Sequence, residues 1–179
     1  MATEIERRFL VRDVACLAGR SGDRIVQGYV AKEPGAMTTR VRLRAGRGYL
    51  TLKTPRYGMS RQEFEYEIPA DDARCILDNQ CGTRLIRKVR YLVPFAAHVF
   101  EVDVFEGRHA GLIVAEVELR SEGEEVALPP WVGTEVTYDK RYSNFALSHF
   151  EGPTLPDLRI DFPAPMHPAA RPAYSGIAH

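Results

Sequence analysis

An early stretch of the chain carries charged side chains at every second position. It reads Glu4-Ile5-Glu6-Arg7-Arg8-Phe9, so that Glu4, Glu6 and Arg8 alternate with other residues. Because successive side chains of a β-strand point to opposite faces, a strand here would place these three on one side. Carboxylate oxygens are the ligands that Mg2+ and Mn2+ prefer, and guanidinium groups bind phosphate oxygens in pairs. The stretch therefore indicates a strand that could hold a metal ion beside a phosphate.

The same alternation recurs along later stretches of the chain. The residues that would share a face are Arg40, Arg42 and Arg44; Tyr49, Thr51 and Lys53; Glu63, Glu65 and Glu67; Lys88 and Arg90; Glu101 and Asp103; and Glu116, Glu118 and Arg120. For any one strand, the solvated side of a half-buried antiparallel sheet is a sufficient explanation. Several faces of nearly pure sign are different, because like charges along and across strands repel one another. Groups of the opposite sign are therefore expected to face them.

The elements that would position these residues are mainly strands. Alternation predicts strands over residues 4–11, 24–31, 39–44, 49–54, 61–68, 86–94, 98–105, 113–120 and 135–138. Gly46-Arg47-Gly48 is predicted as a hairpin turn. Helices are predicted over residues 70–80 and from about 143–144, with a shorter one over 13–17 that ends before Gly19. The chain is therefore interpreted as a mainly β (α+β) protein.

The end of the sequence differs in composition from the rest. Six of the twelve prolines lie in residues 152–179, which show no periodic pattern. We expect one domain over residues 1–151, followed by a Pro-rich tail that is extended or partly disordered.

Closing the strands into a barrel would explain the charged faces. An antiparallel barrel of about eight strands, with helices packed outside, is just wide enough to enclose one small ligand. If the charged faces turn inward, carboxylates and basic groups are buried together, which is costly unless they are paired. A polyanion and a divalent cation bound together would satisfy both sets. The predicted ligand is a short linear chain of phosphates.

Composition narrows the functional classes. The 24 basic residues balance the 24 acidic ones, which disfavours general nucleic-acid binding because that depends on a net positive surface. The three cysteines, Cys16, Cys75 and Cys81, have no metal-ligand spacing and fit a reducing cytoplasm. No stretch approaches the roughly 18 apolar residues of a membrane span, so we expect neither a membrane nor a nucleic acid as partner. The oligomeric state stays open, and an apolar sheet edge would support a homodimer.

The ordered set of motifs resembles the triphosphate tunnel metalloenzymes, also called CYTH proteins. The family opens with Glu-x-Glu-x-Lys, which Glu4-Ile5-Glu6-Arg7-Arg8 matches except that Arg8 replaces the lysine. The other matching segments are Gln27-Gly28-Tyr29, Arg40-Val41-Arg42, Leu52-Lys53, Glu63-Phe64-Glu65-Tyr66-Glu67, Lys88-Val89-Arg90-Tyr91, Glu101-Val102-Asp103-Val104-Phe105, Ala115-Glu116-Val117-Glu118-Leu119, Glu135-Val136-Thr137 and Arg141-Tyr142. The resemblance covers residues 4–147 or so.

This resemblance implies an eight-stranded antiparallel β-barrel whose tunnel binds a triphosphate and one or two divalent metals, Mg2+ or Mn2+. The implied metal ligands are Glu4, Glu6 and Glu118, with Glu116, Glu63 and Glu65 acting through water or on a second metal. The implied phosphate-binding residues are Arg8, Arg40, Arg42, Lys53, Lys88, Arg90 and Arg141, of which Arg8, Lys53 and Lys88 would also act in catalysis. A metal-ordered or carboxylate-ordered water would attack the terminal phosphorus, and Lys53 with Tyr29 is an alternative activator.

The resemblance also sets the functional alternatives. The leading hypothesis is a metal-dependent triphosphatase, a hydrolase acting on inorganic tripolyphosphate or another small triphosphate. Within the same family, a class IV adenylate cyclase or a thiamine or nucleoside triphosphatase would use the same phosphate site. A non-catalytic polyphosphate or nucleotide sensor is a third possibility. The acidic set argues against a sensor, since a pure polyanion binder would be expected to lack carboxylates that repel its ligand.

Overall fold

The computed structural model describes residues 2–31, 37–58 and 60–150. Over these residues it contains nine strands and two α-helices, joined by short 3-10 turns. The strands are β1 (Ala2–Val11), β2 (Asp23–Ala31), β3 (Thr38–Arg44), β4 (Arg47–Lys53), β5 (Ser60–Ile68), β6 (Ile86–Phe95), β7 (His98–Phe105), β8 (Ile113–Glu118) and β9 (Val132–Glu135). The helices are α1 (Ala70–Gln80) and α2 (Asn144–His149), and the 3-10 turns are Ala15–Leu17, Gly107–His109 and Lys140–Tyr142.

Eight of the strands close into an antiparallel barrel. The pairing runs β5-β4-β3-β2-β6-β7-β8-β1, and β1 pairs again with β5 to complete the circle. The first half of β1 pairs with β5, while Phe9 and Val11 pair with β9, which lies outside the barrel. The predicted mainly β fold, an eight-stranded antiparallel barrel, is confirmed.

Three local predictions were wrong. The last short strand lies at Val132–Glu135 and not at 135–138, since the chain enters a turn directly after Glu135. The β3–β4 hairpin turns at Ala45 and Gly46, whose φ angles of 48° and 81° fit a two-residue type I′ turn, and Arg47 already belongs to β4. The segment predicted as a short helix over 13–17 forms only a 3-10 turn.

The outer face of the barrel is apolar and covered. Helix α1 packs against β2, β3 and β4, where Ala73, Leu77 and Cys81 form a buried cluster with Val41. Gly28 lets the helix approach β2, because a Cβ atom at this position would lie 2.6 Å from the Cys81 Sγ. A larger apolar cluster covers the outside of β1, β6, β7 and β8. The apolar halves of the alternating strands thus face outward, which leaves the charged halves to face the barrel interior.

One end of the interior is filled by apolar side chains, which we call the apolar end cluster. It consists of Leu10, Ile86, Phe105, Leu112, Val114, Val136, Tyr142 and Leu147. Leu10 and Val114 are cross-strand partners in the register that pairs Arg8 with Glu116, so they lie on the inner face. Helix α2 supplies Leu147 and begins at Ser143, whose side chain accepts a hydrogen bond from the Ala146 amide. Whereas α1 lies outside the barrel as predicted, α2 lies over this end.

The predicted Pro-rich tail, residues 152–179, lies outside the described residues, and the domain limits of 1–151 stay a prediction. Within the described part of the chain, every helix is too short or too polar to cross a membrane.

Candidate active site

The barrel encloses a charged cavity of about 900 Å³. Its charged lining consists of the acidic residues Glu4, Glu6, Glu63, Glu65, Glu101, Glu116, Glu118 and Glu124 and the basic residues Arg8, Arg40, Arg42, Arg44, Lys53, Arg61, Arg90 and Arg120. Acidic and basic side chains are therefore equal in number among the described lining residues. Twelve of the fourteen residues predicted from the sequence line this cavity, and the remaining two are Lys88 and Arg141.

Strand register brings opposite and like charges together across the barrel wall. On β1 and β8, Glu6 is the cross-strand partner of Glu118, and Arg8 is the partner of Glu116. Because cross-strand partners point to the same face, both pairs project into the cavity. The alternation predicted from the sequence therefore places the acidic residues of β1 and β8 side by side.

Glu4 and Glu6 are each bonded to basic side chains. The Lys53 Nζ donates to the Glu4 Oε1 at 2.8 Å, and the Arg61 Nε donates to the Glu4 Oε2. Arg8 and Arg56 both donate to the Glu6 Oε1, Arg56 at 2.6 Å. Burial raises the pKa of Glu4, but Lys53 and Arg61 outweigh burial and lower that pKa well below its ordinary value. Glu4 is therefore ionised at neutral pH.

Glu118 has a different environment. Burial raises the pKa of its carboxyl group, and the neighbouring carboxylates of Glu4, Glu101, Glu63 and Glu6 raise it further. The carboxylates around Glu118 thus create local negative charge that a divalent cation would neutralise.

The donor set fits a hard divalent metal. Glu4, Glu6 and Glu118 offer carboxylate oxygens from two adjacent strands, which is the ligand type that Mg2+ and Mn2+ bind. As placed, no three acidic, His or Cys side chains of the described residues form a ready ligand group. Glu4 and Glu6 are bonded instead to Lys and Arg side chains. A metal at this position would require those ion pairs to rearrange.

The guanidinium groups of Arg40 and Arg42 are positioned to bind an anion in the cavity. The Nη2 atoms of both side chains donate to Glu65, Arg42 at 2.8 Å and 3.0 Å and Arg40 at 3.3 Å. Their Nε atoms are buried and have no hydrogen-bond acceptor among the described residues. Because both side chains also line the cavity, phosphate oxygens are well suited to these two guanidinium groups.

Lys53 and Tyr29 line the cavity but differ in chemistry. The Lys53 Nζ lies 2.8 Å from carboxylate oxygens of both Glu4 and Glu63. Burial, followed by the charge of Arg40, lowers the Lys53 pKa below its ordinary value. Burial raises the Tyr29 pKa, and the Tyr29 hydroxyl accepts a long hydrogen bond of 3.4 Å from Gln27. Tyr29 therefore keeps its proton at neutral pH.

The structure does not bring Lys88 to the cavity lining. Its side chain is 1% exposed and donates to Asp103 at 2.5 Å and to Asn144 at 3.2 Å. Burial lowers the Lys88 pKa to about 8. Next to it, Arg90 does line the cavity and donates to both oxygens of Asp103 at 2.7 Å and 2.6 Å. Lys88 is therefore a buried ion-pair partner of Asp103 and does not reach the cavity, whereas Arg90 does.

Arg141 also lies apart from the cavity lining. Its guanidinium group donates to Asp139, with the Nη2 atom at 2.6 Å, and its side chain is 66% exposed. Its proposed contact with phosphate would need a different side-chain orientation, so that role stays a prediction.

Two arginines at the acidic residues were missed by the sequence interpretation. Arg61 precedes Glu63 by two positions on β5, so the alternation that groups Glu63 with Glu65 also includes it. Arg56 lies between β4 and β5 and has no periodic signal. Both contact Glu6, and Arg61 also contacts Glu4.

Comparisons with known proteins agree with this architecture. A sequence model of the CYTH domain matches residues 2–150. The inorganic triphosphatase of Acetivibrio thermocellus is 41% identical over 144 residues, covering 80% of this chain and 92% of the relative. The inorganic triphosphatase of Nitrosomonas europaea is 37% identical over 153 residues, covering 82% and 97%. Among solved structures, a crystal structure of an inorganic triphosphatase matches with a TM-score of 0.62 and 34% identity, covering 83% of this chain and 95% of that one.

Proposed function

The chain belongs to the CYTH domain family, and we propose that it is a divalent-metal-dependent triphosphatase that hydrolyses the terminal phosphoanhydride bond of inorganic tripolyphosphate. The observation that carries this proposal is the set of basic side chains, Arg40 and Arg42 among them, that lines a cavity of balanced charge. A phosphate chain supplies acceptors for these basic groups. Because the acidic and basic lining residues are equal in number, a polyanion is better accommodated together with a metal cation than alone. The inorganic triphosphatases that are 41% and 37% identical to the chain support the same reaction.

The proposed metal ligands are Glu4, Glu6 and Glu118. The remaining carboxylates, Glu116, Glu63 and Glu65, would contact the metal through water or bind a second metal. Mg2+ and Mn2+ are the proposed ions because the donors are carboxylates. When bound, such an ion would neutralise charge on the phosphate oxygens and lower the pKa of a bound water.

The basic side chains position the phosphate chain. In phosphoryl transfer the protein contributes mainly by fixing the reacting groups and stabilising charge on the phosphoryl oxygens. Arg40 and Arg42 on β3 hold one part of the chain, and Arg8 and Arg90 approach from the wall formed by β6, β7, β8 and β1. The closed barrel fixes the spacing between these two groups.

Lys53 is better suited to bind phosphate than to act as a base. Its Nζ contacts Glu4 and Glu63 at 2.8 Å, and loss of its proton would break both ion pairs. Tyr29 holds its proton because burial raises its pKa. We therefore assign orientation of the attacking water to a cavity carboxylate, and charge stabilisation to Lys53.

A substrate panel tests the proposal. The protein is assayed for phosphate release from tripolyphosphate, ATP, GTP and thiamine triphosphate, with Mg2+ and with Mn2+. We expect tripolyphosphate to give the largest kcat/KM and a chelator to abolish turnover. Formation of cyclic AMP and pyrophosphate from ATP would instead identify a cyclase. Tight tripolyphosphate binding without hydrolysis under either metal would identify a non-catalytic binding protein.

Three further expectations belong to this proposal. The three cysteines are unpaired, which fits action in a reducing cytoplasm. A homodimer is testable by light scattering. That no nucleic acid is a partner rests on the balanced charge of the sequence, and that no membrane is a partner rests on its lack of a long apolar stretch; both stay predictions.

A further inference from the structure

Two arginines from the β4–β5 region form ion pairs with the carboxylates proposed to bind metal. Arg61 on β5 donates through its Nε to the Glu4 Oε2, and its Nη2 lies 3.7 Å from the Glu6 Oε1. The Arg56 Nη2 donates to the same Glu6 oxygen at 2.6 Å. Lys53 holds the other oxygen of Glu4 at 2.8 Å. Basic groups from outside β1 therefore contact both oxygens of Glu4 and one oxygen of Glu6.

These contacts compete with a metal for the same atoms. An ion that coordinates the Glu4 Oε2 or the Glu6 Oε1 must displace the guanidinium group that now donates to that oxygen. Burial strengthens each ion pair, since the side chains of Glu4 and Glu6 are only 14% and 10% exposed. Metal binding is therefore opposed by the free energy needed to displace Arg61 and Arg56.

A triphosphate offers these guanidinium groups a different partner. Arg61 lines the cavity, so its donors can turn from Glu4 to phosphate oxygens without leaving the barrel interior. Guanidinium groups bind phosphate as well as carboxylate, and the phosphate chain carries several negative charges. The acceptor lost by Arg61 is thereby replaced, and the Glu4 Oε2 becomes available to a cation.

We propose that Arg61, assisted by Arg56, keeps a metal from Glu4 and Glu6 until a triphosphate draws the Arg61 guanidinium group away. This inference rests on the proposed function and assigns both arginines as positioning residues. It makes metal and triphosphate binding mutually favourable, because each ligand tightens the other by the same factor. It also limits stray metal binding by the protein without substrate.

The first test measures metal binding without any triphosphate. Mn2+ is titrated by calorimetry into the wild type, Arg61→Gln and the matched control Arg44→Gln. Arg44 also lines the cavity, and its replacement by Gln removes the same charge. In the wild type, Arg44 donates to Asp23 at 3.0 Å and not to Glu4 or Glu6. We expect Arg61→Gln to bind Mn2+ on the order of tenfold more tightly than the wild type, within the usual range of coupling between sites. Arg44→Gln should change the affinity by a much smaller factor, and Arg61→Lys should stay near the wild type.

The second test measures tripolyphosphate binding in the presence of a chelator, where turnover does not interfere. Arg61→Gln should weaken this binding more than Arg44→Gln does, so that one substitution shifts the two affinities in opposite directions. A merely structural role for Arg61 would not do so. Circular dichroism verifies that each variant is folded, and Arg56→Gln, at a position outside the strands, provides an independent variant expected to tighten Mn2+ binding.

The outcomes separate this inference from the proposed function. Equal effects of Arg61→Gln and Arg44→Gln would reduce the result to general electrostatics and overturn the role of Arg61. Unchanged Mn2+ affinity in both Arg61→Gln and Arg56→Gln would also overturn it, while wild-type turnover of tripolyphosphate leaves the proposed function intact. If the wild type binds no Mn2+ even with saturating tripolyphosphate, the proposed metal site fails together with the inference.

Discussion

Two buried lysine–carboxylate pairs lie in the barrel, and the cavity reaches only one of them. Lys53 and Glu4 are 2.8 Å apart and both line the cavity, whereas Lys88 and Asp103 are 2.5 Å apart and only 1% exposed. Burial lowers the pKa of both lysines. The same pairing chemistry therefore occurs in a place open to a ligand and in a place closed to one. The first pair therefore lies where the proposed ligand would bind, whereas the second contacts Arg90 through the Asp103 that Lys88 and Arg90 share.

The largest effect is expected from breaking the Lys88–Asp103 pair, which is closed to the cavity. Asp103→Asn removes the charge that pairs with Lys88, leaves Lys88 buried with neutral acceptors alone, and replaces one of the two oxygens that accept from Arg90 with an NH2 group. Breaking a buried ion pair of this kind costs about 3–5 kcal/mol, so urea denaturation should show that loss in the free energy of unfolding. The exposed pair of Arg7 and Glu135 is the control, and Glu135→Gln should cost less than about 1 kcal/mol. Equal losses in the two variants would contradict the contribution of burial to the Lys88–Asp103 pair.

The open site should respond in activity more than in stability. Glu4→Gln and Glu6→Gln each remove a proposed metal ligand, and kcat/KM for tripolyphosphate with Mg2+ should fall by at least about a hundredfold, comparable to loss of a group that stabilises transition-state charge. Their unfolding free energies should change less than that of Asp103→Asn, because each removes only one of several charges around the cavity. Undiminished turnover would contradict the metal assignment.

A smaller effect is expected in the pH dependence of the free energy of unfolding, and it arises from Lys88. The folded-state pKa of Lys88 is about 8, below the ordinary value of 10.5. Between these values the unfolded chain binds more protons than the folded one, so the contribution of Lys88 to stability rises with pH, by at most about 1.4 kcal/mol per pH unit. Lys88→Met should lack this rise when unfolding free energies are compared at pH values near 8 and near 10. Parallel curves for the wild type and Lys88→Met would contradict the burial of a titrating lysine.

The sequence was sufficient for the barrel and for most of the cavity, because both depend on period-two alternation. Strands that alternate in this way have one charged and one apolar face, and the apolar faces of β1 and β6 are covered. The register that places Glu6 opposite Glu118 depends on long-range pairing and could not be read from either strand alone.

The errors have local physical causes. The 135–138 prediction followed β-branched residues, whereas β9 starts earlier because Val132 and Glu135 pair with β1. Lys88 alternates in phase with Arg90, yet depth along the barrel decides that only Arg90 meets the cavity. Arg56 carried no signal because it lies outside the strands, whereas Arg61 could have been found by extending the alternation of Glu63 and Glu65 by one step.

The apolar end cluster has a consequence for how molecules pass through the enzyme. Leu10, Ile86, Phe105 and Leu147 fill one end of the barrel interior with side chains that offer phosphate neither charge nor hydrogen bonds. As far as the described residues define the barrel, a substrate would then enter, and its products would leave, by the opposite end. Such a barrel cannot thread a long polymer from one side to the other, so each reaction cycle has to end in full release before the next begins. The cluster thereby favours short phosphate chains and distributive turnover over processive shortening of long ones.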